Sequence, residues 1–365
     1  MDYTKLDYEK ILHLLFECPG CENVETSLPI TCFYVSLWTK KSDMKNILVI
    51  GAGGQIGSEL VPHLRHIYGD NHVVAADISA EKCAALAEAG PFCELDALNG
   101  AAFAGIVSKY KIDTIFNLVA LLSATGERNP QLAWKINIGA LTNSLDIAKD
   151  NGCAVFTPSS IGAFGKDTPK DKTPQDTLQR SNTTIYGVCK VTGELLSDYY
   201  FHRFGVDTRS VRFPGLISYV TLPGGGTTDY AVEIYYDAVR KSSFTCNIKE
   251  GTYMDMMYMP DALNAVVRLM EADPARLKHR NSFNIASMSF EPEGIAAEIR
   301  KHIPGFKMDY KIDPVKQAIA DSWPNSMDDS CAREEWDWAP RYDLAEMTTD
   351  MLRKVKEKFD MGICK

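Results

Sequence analysis

The sequence has no run of basic residues. Its 39 lysines and arginines are interleaved with 48 acids, to a formal net charge of −9. The electrostatic footprint of a nucleic-acid binder is therefore missing. Nor does any apolar stretch approach the ~20 residues that span a bilayer. The most apolar segment, Ile47 to Ile50, has the length of a buried strand. Neither a nucleic acid nor a membrane is expected as a partner. The seven histidines are dispersed, and no second CxxC or histidine pair completes a zinc set with Cys18-Pro19-Gly20-Cys21. No metal is expected. Cys83, Cys153 and Cys189 fall in segments that read as core, where a free thiol packs as a small hydrophobe. That usage fits a reducing compartment.

Residues 1–43 lack clear periodicity, and Met44 stands directly before the first strand. The segment reads as a presequence, a poorly ordered arm, or an extension of a chain whose functional start is Met44. A mitochondrial presequence is rich in arginine and poor in acids. This one has no arginine and carries Asp2, Asp7, Glu9, Glu17, Glu22 and Glu25.

From Lys45 onward, short β-branched runs alternate with helical stretches, the signature of a parallel sheet covered on both faces. Strands are expected at Asn46–Ile50, Val73–Ala76, Phe92–Leu95, Thr114–Leu118, Ala154–Thr157 and Thr208–Arg212. Helices are expected at Gln55–Ile67, Glu81–Ala89, Ala101–Lys109, Gln131–Lys149 and Tyr186–Phe204. The fold class is α/β, a Rossmann-type doubly wound sheet over residues 44–214. After Pro214 the rhythm breaks. A glycine-rich loop (Pro223 to Gly226) and helices near Ala231–Arg240, Asp261–Ala272 and Pro292–His302 suggest a smaller, mixed substrate lobe over residues 215–365, with some segments returning to the first domain.

Gly51-Ala52-Gly53-Gly54-Gln55-Ile56-Gly57 follows the first strand and opens a helix. Glycines there allow the tight turn and let backbone approach a pyrophosphate, while the helix N-terminus offers free N–H groups. Asp77 stands twenty residues beyond Gly57 at the end of the second strand, where a carboxylate accepts hydrogen bonds from ribose hydroxyls. The same carboxylate repels a 2′-phosphate, and no arginine stands beside it. NAD is the expected cofactor.

Tyr186 and Lys190 are four residues apart, hence on one face of a helix. A free tyrosine titrates at about 10, and an adjacent ammonium and a positive nicotinamide both favour the phenolate. Tyr186 can then accept an alcohol proton. Such a pair alone is more often a surface pair, but Pro158-Ser159-Ser160 stands upstream on a strand end. Ser160 is the serine expected to donate to the reacting oxygen; a helix or turn cap is the rival role for either serine, more so for Ser159 than for Ser160.

With Gly51, Gly54, Gly57, Asp77, Asp96, Ser160, Tyr186 and Lys190 in place, the chain resembles the extended short-chain dehydrogenase/reductase superfamily from Lys45 to about Asp261. That resemblance implies that Asp96 and Ala97 contact the adenine, and that Leu118 and Ala120 line the ribose side. Asn137 would hold the fourth helix or a water chain. Within the superfamily the stretches Leu118–Ala124, Pro158–Ile161, Arg212–Tyr219, Pro223–Ala231 and Met256–Ala262 are similar to the L-threonine 3-dehydrogenases of the short-chain type. The resemblance implies NAD-dependent oxidation of the L-threonine hydroxyl to L-2-amino-3-oxobutanoate in threonine catabolism. Tyr186 would be the base, with Lys190 lowering its pKa and holding the ribose. It also implies a homodimer and, in eukaryotes, often a mitochondrial location.

The residues suit a small zwitterionic substrate. Ser123, Thr227 and Thr228 offer hydroxyls to a carboxylate, Asp229 is either a partner for the ammonium or a helix cap, and Leu216 and Ile217 would wall the nicotinamide. Loop 223–230 is expected to move on binding. Two rivals share parts of this pattern. A nucleotide-sugar epimerase or dehydratase generally carries an asparagine after the sixth strand, where this chain has Pro214-Gly215-Leu216. A non-catalytic NAD-sensing protein would have no reason to keep Tyr186, Lys190 and Ser160 together.

Overall fold

The computed structural model describes residues 44–177, 184–221, 224 and 226–363. The N-terminal extension with its Cys18/Cys21 pair, and Pro223 and Gly225 of the glycine-rich loop, lie outside the described residues.

Six parallel strands form the main sheet: β1 (Ile47–Ile50), β2 (Val73–Asp77), β3 (Phe92–Glu94), β4 (Thr114–Asn117), β5 (Ala154–Phe156) and, beyond the two-residue β6 (Ser159–Ser160), β7 (Thr208–Arg209). Their order is β3-β2-β1-β4-β5-β7, with the reversal at β1 and β4 that defines a doubly wound sheet. Every residue of β1 is buried because both faces are covered. Ile47 and Val49 pack with Leu60, Val61 and Leu64 of α1 (Gly57–Tyr68). Leu48 and Ile50 pack on the other side with Phe103 and Val107 of α3 (Gly100–Tyr110) and with Leu141 and Leu145 of α5 (Pro130–Asn151). The short α2 (Ala84–Glu88) and α4 (Ser123–Arg128) precede these two helices, and α6 (Ile185–Phe204) packs along α5.

The helix ends follow local chemistry. Asn129 accepts from the Leu132 N–H ahead of Pro130, and Thr184 accepts from the Gly187 N–H. Gly152 and Gly205, at φ near +70°, close α5 and α6 in the left-handed region.

The strand expected over Thr208–Arg212 is two strands in two sheets. The chain leaves the main sheet at Ser210, whose N–H donates to the Arg280 carbonyl, and resumes as β8 (Val211–Phe213) beside β6. Beyond it lie β9 (Gly215–Ile217), α7 (Tyr230–Lys241), β10 (Ser243–Cys246), β11 (Met254–Tyr258), α8 (Met259–Glu271), β12 (Phe283–Asn284), β13 (Met288–Phe290), α9 (Pro292–His302), β14 (Lys307–Tyr310), α10 (Pro314–Ser322), α11 (Ser330–Trp336) and α12 (Leu344–Asp360). β11 pairs with β9 and β13, β10 pairs with β14, and a second core gathers α7, α9 and α12. Two segments return to the first core. α8 places Met259, Val266 and Met270 against the α1 side of the sheet, and β12 pairs with β8. Arg209, fully buried, fixes that return: its guanidinium pairs with Asp207 and donates to the carbonyls of Leu269, Met270 and Ala272 at the end of α8. No helix among the described residues is long and apolar enough to cross a membrane.

Asp255 on β11 is buried and accepts the Met327 N–H at 2.6 Å. Burial, with Asp329 nearby, pushes its carboxyl up to about 7. A raised acid stabilises the fold below its unfolded value and loses that contribution as pH rises through the folded one. The wild-type unfolding free energy should therefore fall by up to roughly 4 kcal/mol from this group between about pH 4 and 7. Asp255→Asn should flatten that part of a denaturant-midpoint profile against pH.

Candidate active site

The turn after β1 is shaped by close approach. Gly51 sits at φ +78°, and the N–H groups of Gly51 and Ala52 donate to the Ala76 carbonyl at 2.9 and 3.1 Å. A Cβ on Gly57 would lie 2.5 Å from the Gly51 carbonyl oxygen and 2.7 Å from Ala52 Cα. Only glycine lets α1 start against the loop here. Gly53 N–H donates to Asp77 Oδ2 at 2.9 Å, and Ser79 N–H holds Oδ1 at 2.9 Å. The acid at the end of β2 is thus clamped next to the phosphate-binding turn. A glycine loop at a helix N-terminus with a fixed carboxylate beside it fits a dinucleotide.

Thr184 caps α6 so that Tyr186 lies in its first turn and Lys190 in the next. The Lys190 ammonium donates to the Pro158 carbonyl at 2.5 Å and stands 5.3 Å from the Tyr186 ring centroid. A Cβ on Gly162 would meet Tyr186 Cε1 at 3.2 Å and Ser160 Oγ at 3.4 Å, so these two side chains converge on one spot. Ser160 caps a turn, the rival role, with its Oγ accepting from Gly162 N–H at 3.1 Å. Acceptance leaves its own proton free to donate. Ser159 is buried and donates to Glu194. Alternation along β6 points these adjacent residues to opposite sides.

Both groups of residues open into one cavity of about 460 Å³. Gly51, Gly53, Gly54, Gln55, Ile56, Gly57, Leu118 and Ala120 line the cofactor side, and Ser160, Tyr186 and Lys190 the middle. Ser123, Leu216, Thr227 and Thr228 complete the far end. The Thr227 hydroxyl is buried and has no hydrogen-bond partner among the described residues. Such an orphan in a cavity wall is a site for a ligand acceptor or donor. Asp229 also lines the cavity, and its carboxylate reaches back across the turn to accept from Gly226 N–H at 2.7 Å instead of capping α7 as expected.

Four expected cofactor contacts fall outside the lining: Asp77, held behind the glycine turn, and Ile217, Asp96 and Ala97. Ile217 is fully buried in the second core, because the pleat of β9 turns Leu216 to the cavity and Ile217 away. Asp96 is exposed and accepts Leu98 N–H, while the Ala97 carbonyl accepts from Asn143. Asn137 clamps both the N–H and the carbonyl of Leu121, holding the loop after β4 to α5. Sequence reading missed Trp323, which closes the far wall. Its carbonyl and that of Asp321 accept from the Lys170 ammonium at 2.7 and 2.5 Å. No local pattern marks a residue brought in from 163 positions beyond Ser160. It missed Thr221 as well, whose hydroxyl bonds Ser58 at 2.9 Å and ties the segment after β9 to α1.

Gly57→Ala tests the turn. The added methyl meets backbone, which cannot move aside cheaply, so NAD affinity measured by fluorescence titration should fall about tenfold or more, with the global fold retained by circular dichroism.

Residues 47–286 match the NAD dependent epimerase/dehydratase family. An uncharacterized epimerase/dehydratase of Staphylococcus haemolyticus is 57% identical over 315 residues, which cover 86% of this chain and 99% of the relative. Among solved structures, an L-threonine dehydrogenase from Clostridium difficile superposes with a TM-score of 0.85 at 56% identity, covering 86% of this chain and 98% of that one. The L-threonine dehydrogenase of Phytophthora infestans gives 0.83 at 46% identity, over 86% of this chain and 100% of the other. The glycine turn, the clamped Asp77 and the Tyr186/Lys190 helix lie within the matched span, and the chain belongs to the NAD-dependent epimerase/dehydratase family.

Proposed function

We propose that the chain is an NAD-dependent L-threonine 3-dehydrogenase, oxidising L-threonine to L-2-amino-3-oxobutanoate. The observation that carries this reading is the shared cavity. The dinucleotide turn, the Ser160/Tyr186/Lys190 group and an unpartnered Thr227 hydroxyl all face one space sized for a small ligand. The full-length likeness to solved L-threonine dehydrogenases supports the choice of substrate.

In this reading the substrate hydroxyl lies between Ser160 and Tyr186. Tyr186 Oη takes its proton, and Ser160 donates to the same oxygen as the carbonyl forms. Lys190, anchored on the Pro158 carbonyl, keeps positive charge beside the phenol and reaches the ribose. Bound NAD supplies the hydride acceptor. Leu216 walls off that side of the cavity, while Ser123, Thr227 and Thr228 hold the carboxylate.

A homodimer belongs to the same proposal. α5 and α6 pack together and carry exposed Leu132, Trp134, Leu195 and Tyr199 on the surface. Apolar side chains gathered on one pair of helices support a surface closed by a second copy.

Purified protein with NAD should form NADH with L-threonine and none with UDP-sugars; the opposite pattern would sink the assignment. Tyr186→Phe should lower kcat by about 10²–10⁴ with NAD affinity kept. Thr227→Val should raise KM for threonine while raising Tm, since it deletes a hydroxyl whose burial costs about 1–3 kcal/mol when unpaired. Leu195→Glu combined with Tyr199→Lys should convert a dimer into a monomer in sedimentation velocity.

A further inference from the structure

Away from the cavity, the structure assigns a second site: His279, Cys331 and Glu335 form a binding site for one zinc-type divalent ion that clips α11 to the turn before β12. One donor atom from each of the three residues lies within 4.8 Å of the others. Cys331 and Glu335 are four apart on α11, hence on one face of the helix. His279 comes from the turn that follows α8.

The site is built rather than incidental. Glu335 is buried, and its Oε2 accepts the backbone N–H groups of Lys278 and His279 at 2.6 and 3.1 Å. Those bonds fix the carboxylate, so Oε1 is left facing His279 Nδ1, with which it is in direct contact. The other ring nitrogen, Nε2, is 3.4 Å from Asp176 Oδ1. A carboxylate on the far nitrogen of a ligating imidazole is the usual arrangement that orients the ring and fixes its tautomer. On metal entry the Cys331 thiol proton is released to solvent and the ring proton sits on Nε2 towards Asp176 instead of on Nδ1, leaving Nδ1, Oε1 and the Cys331 thiolate as ligands. Asp176, Asp328 and Glu334 add negative potential around Cys331. One nitrogen, one sulfur and one carboxylate oxygen make a donor set that suits zinc over calcium or magnesium.

None of these residues lines the active-site cavity, so occupancy and turnover can be read separately. The full-length protein is titrated with Co²⁺, a spectroscopic stand-in for zinc. Near-ultraviolet sulfur-to-cobalt charge transfer should saturate at one equivalent and be displaced by Zn²⁺. Cys331→Ser should abolish the band, His279→Gln should weaken binding, and Asp176→Asn should weaken it by about 10–100-fold. A Cys18→Ser/Cys21→Ser variant should keep the band. Basal turnover with NAD and L-threonine should be unchanged in Cys331→Ser, which also reports that the variant folds. No band in the wild type, or a band untouched by Cys331→Ser, would overturn the site.

Discussion

A buried ion pair holds the helix of Tyr186 and Lys190 to the rest of the molecule. Arg212 of β8 and Glu194 of α6 meet through two parallel hydrogen bonds of 3.1 and 2.9 Å, with both side chains almost wholly out of solvent. Glu194 lies one turn beyond Lys190 and two beyond Tyr186, on the same helical face. It also receives the Ser159 hydroxyl, so the neighbour of Ser160 is fastened to the helix that carries Tyr186. The remaining guanidinium nitrogen donates to Gln175 and Asn284, which brings in β12. Removing one partner from such a pair strands a buried charge, at a cost of about 3–5 kcal/mol. Ser160, Tyr186 and Lys190 thus take their spacing from a contact none of them makes.

Much of the first half was legible because its determinants are local. The run Ile47–Ile50 has to be buried on both faces, and the Asn129-Pro130 and Thr184 caps mark where helices begin. The glycine turn and Asp77 stand in sequence order and meet as that order implies. Less was legible where one residue of register decides the outcome. Ser159 and Ser160, or Leu216 and Ile217, are alike in type, and the pleat alone sends them to opposite sides. The single strand read over Thr208–Arg212 breaks at Ser210 because that residue binds Arg280, a partner seventy positions away that leaves no local trace.

The second half was less legible for the same reason. Trp323 enters the cavity wall through a seam in which residues 170–173 exchange backbone hydrogen bonds with residues 325–328. His279 was read as one of seven dispersed histidines, yet it touches Glu335. Such contacts are set by how the chain threads between cores, and periodicity within a window of a dozen residues does not encode them.

Strand β12 lies directly beside β8, so the chain departs from one strand and returns to its immediate neighbour. An excursion with adjoining stems can be exchanged as a cassette without disturbing the register of the nucleotide half. The useful boundary of that cassette is narrower than the stems imply. Met259–Glu271 fills the core under α1, and its last carbonyls are held by Arg209, so a transplant must leave α8 behind. Residues 215–258 are then the portion free to vary when the same oxidation chemistry is given a different alcohol.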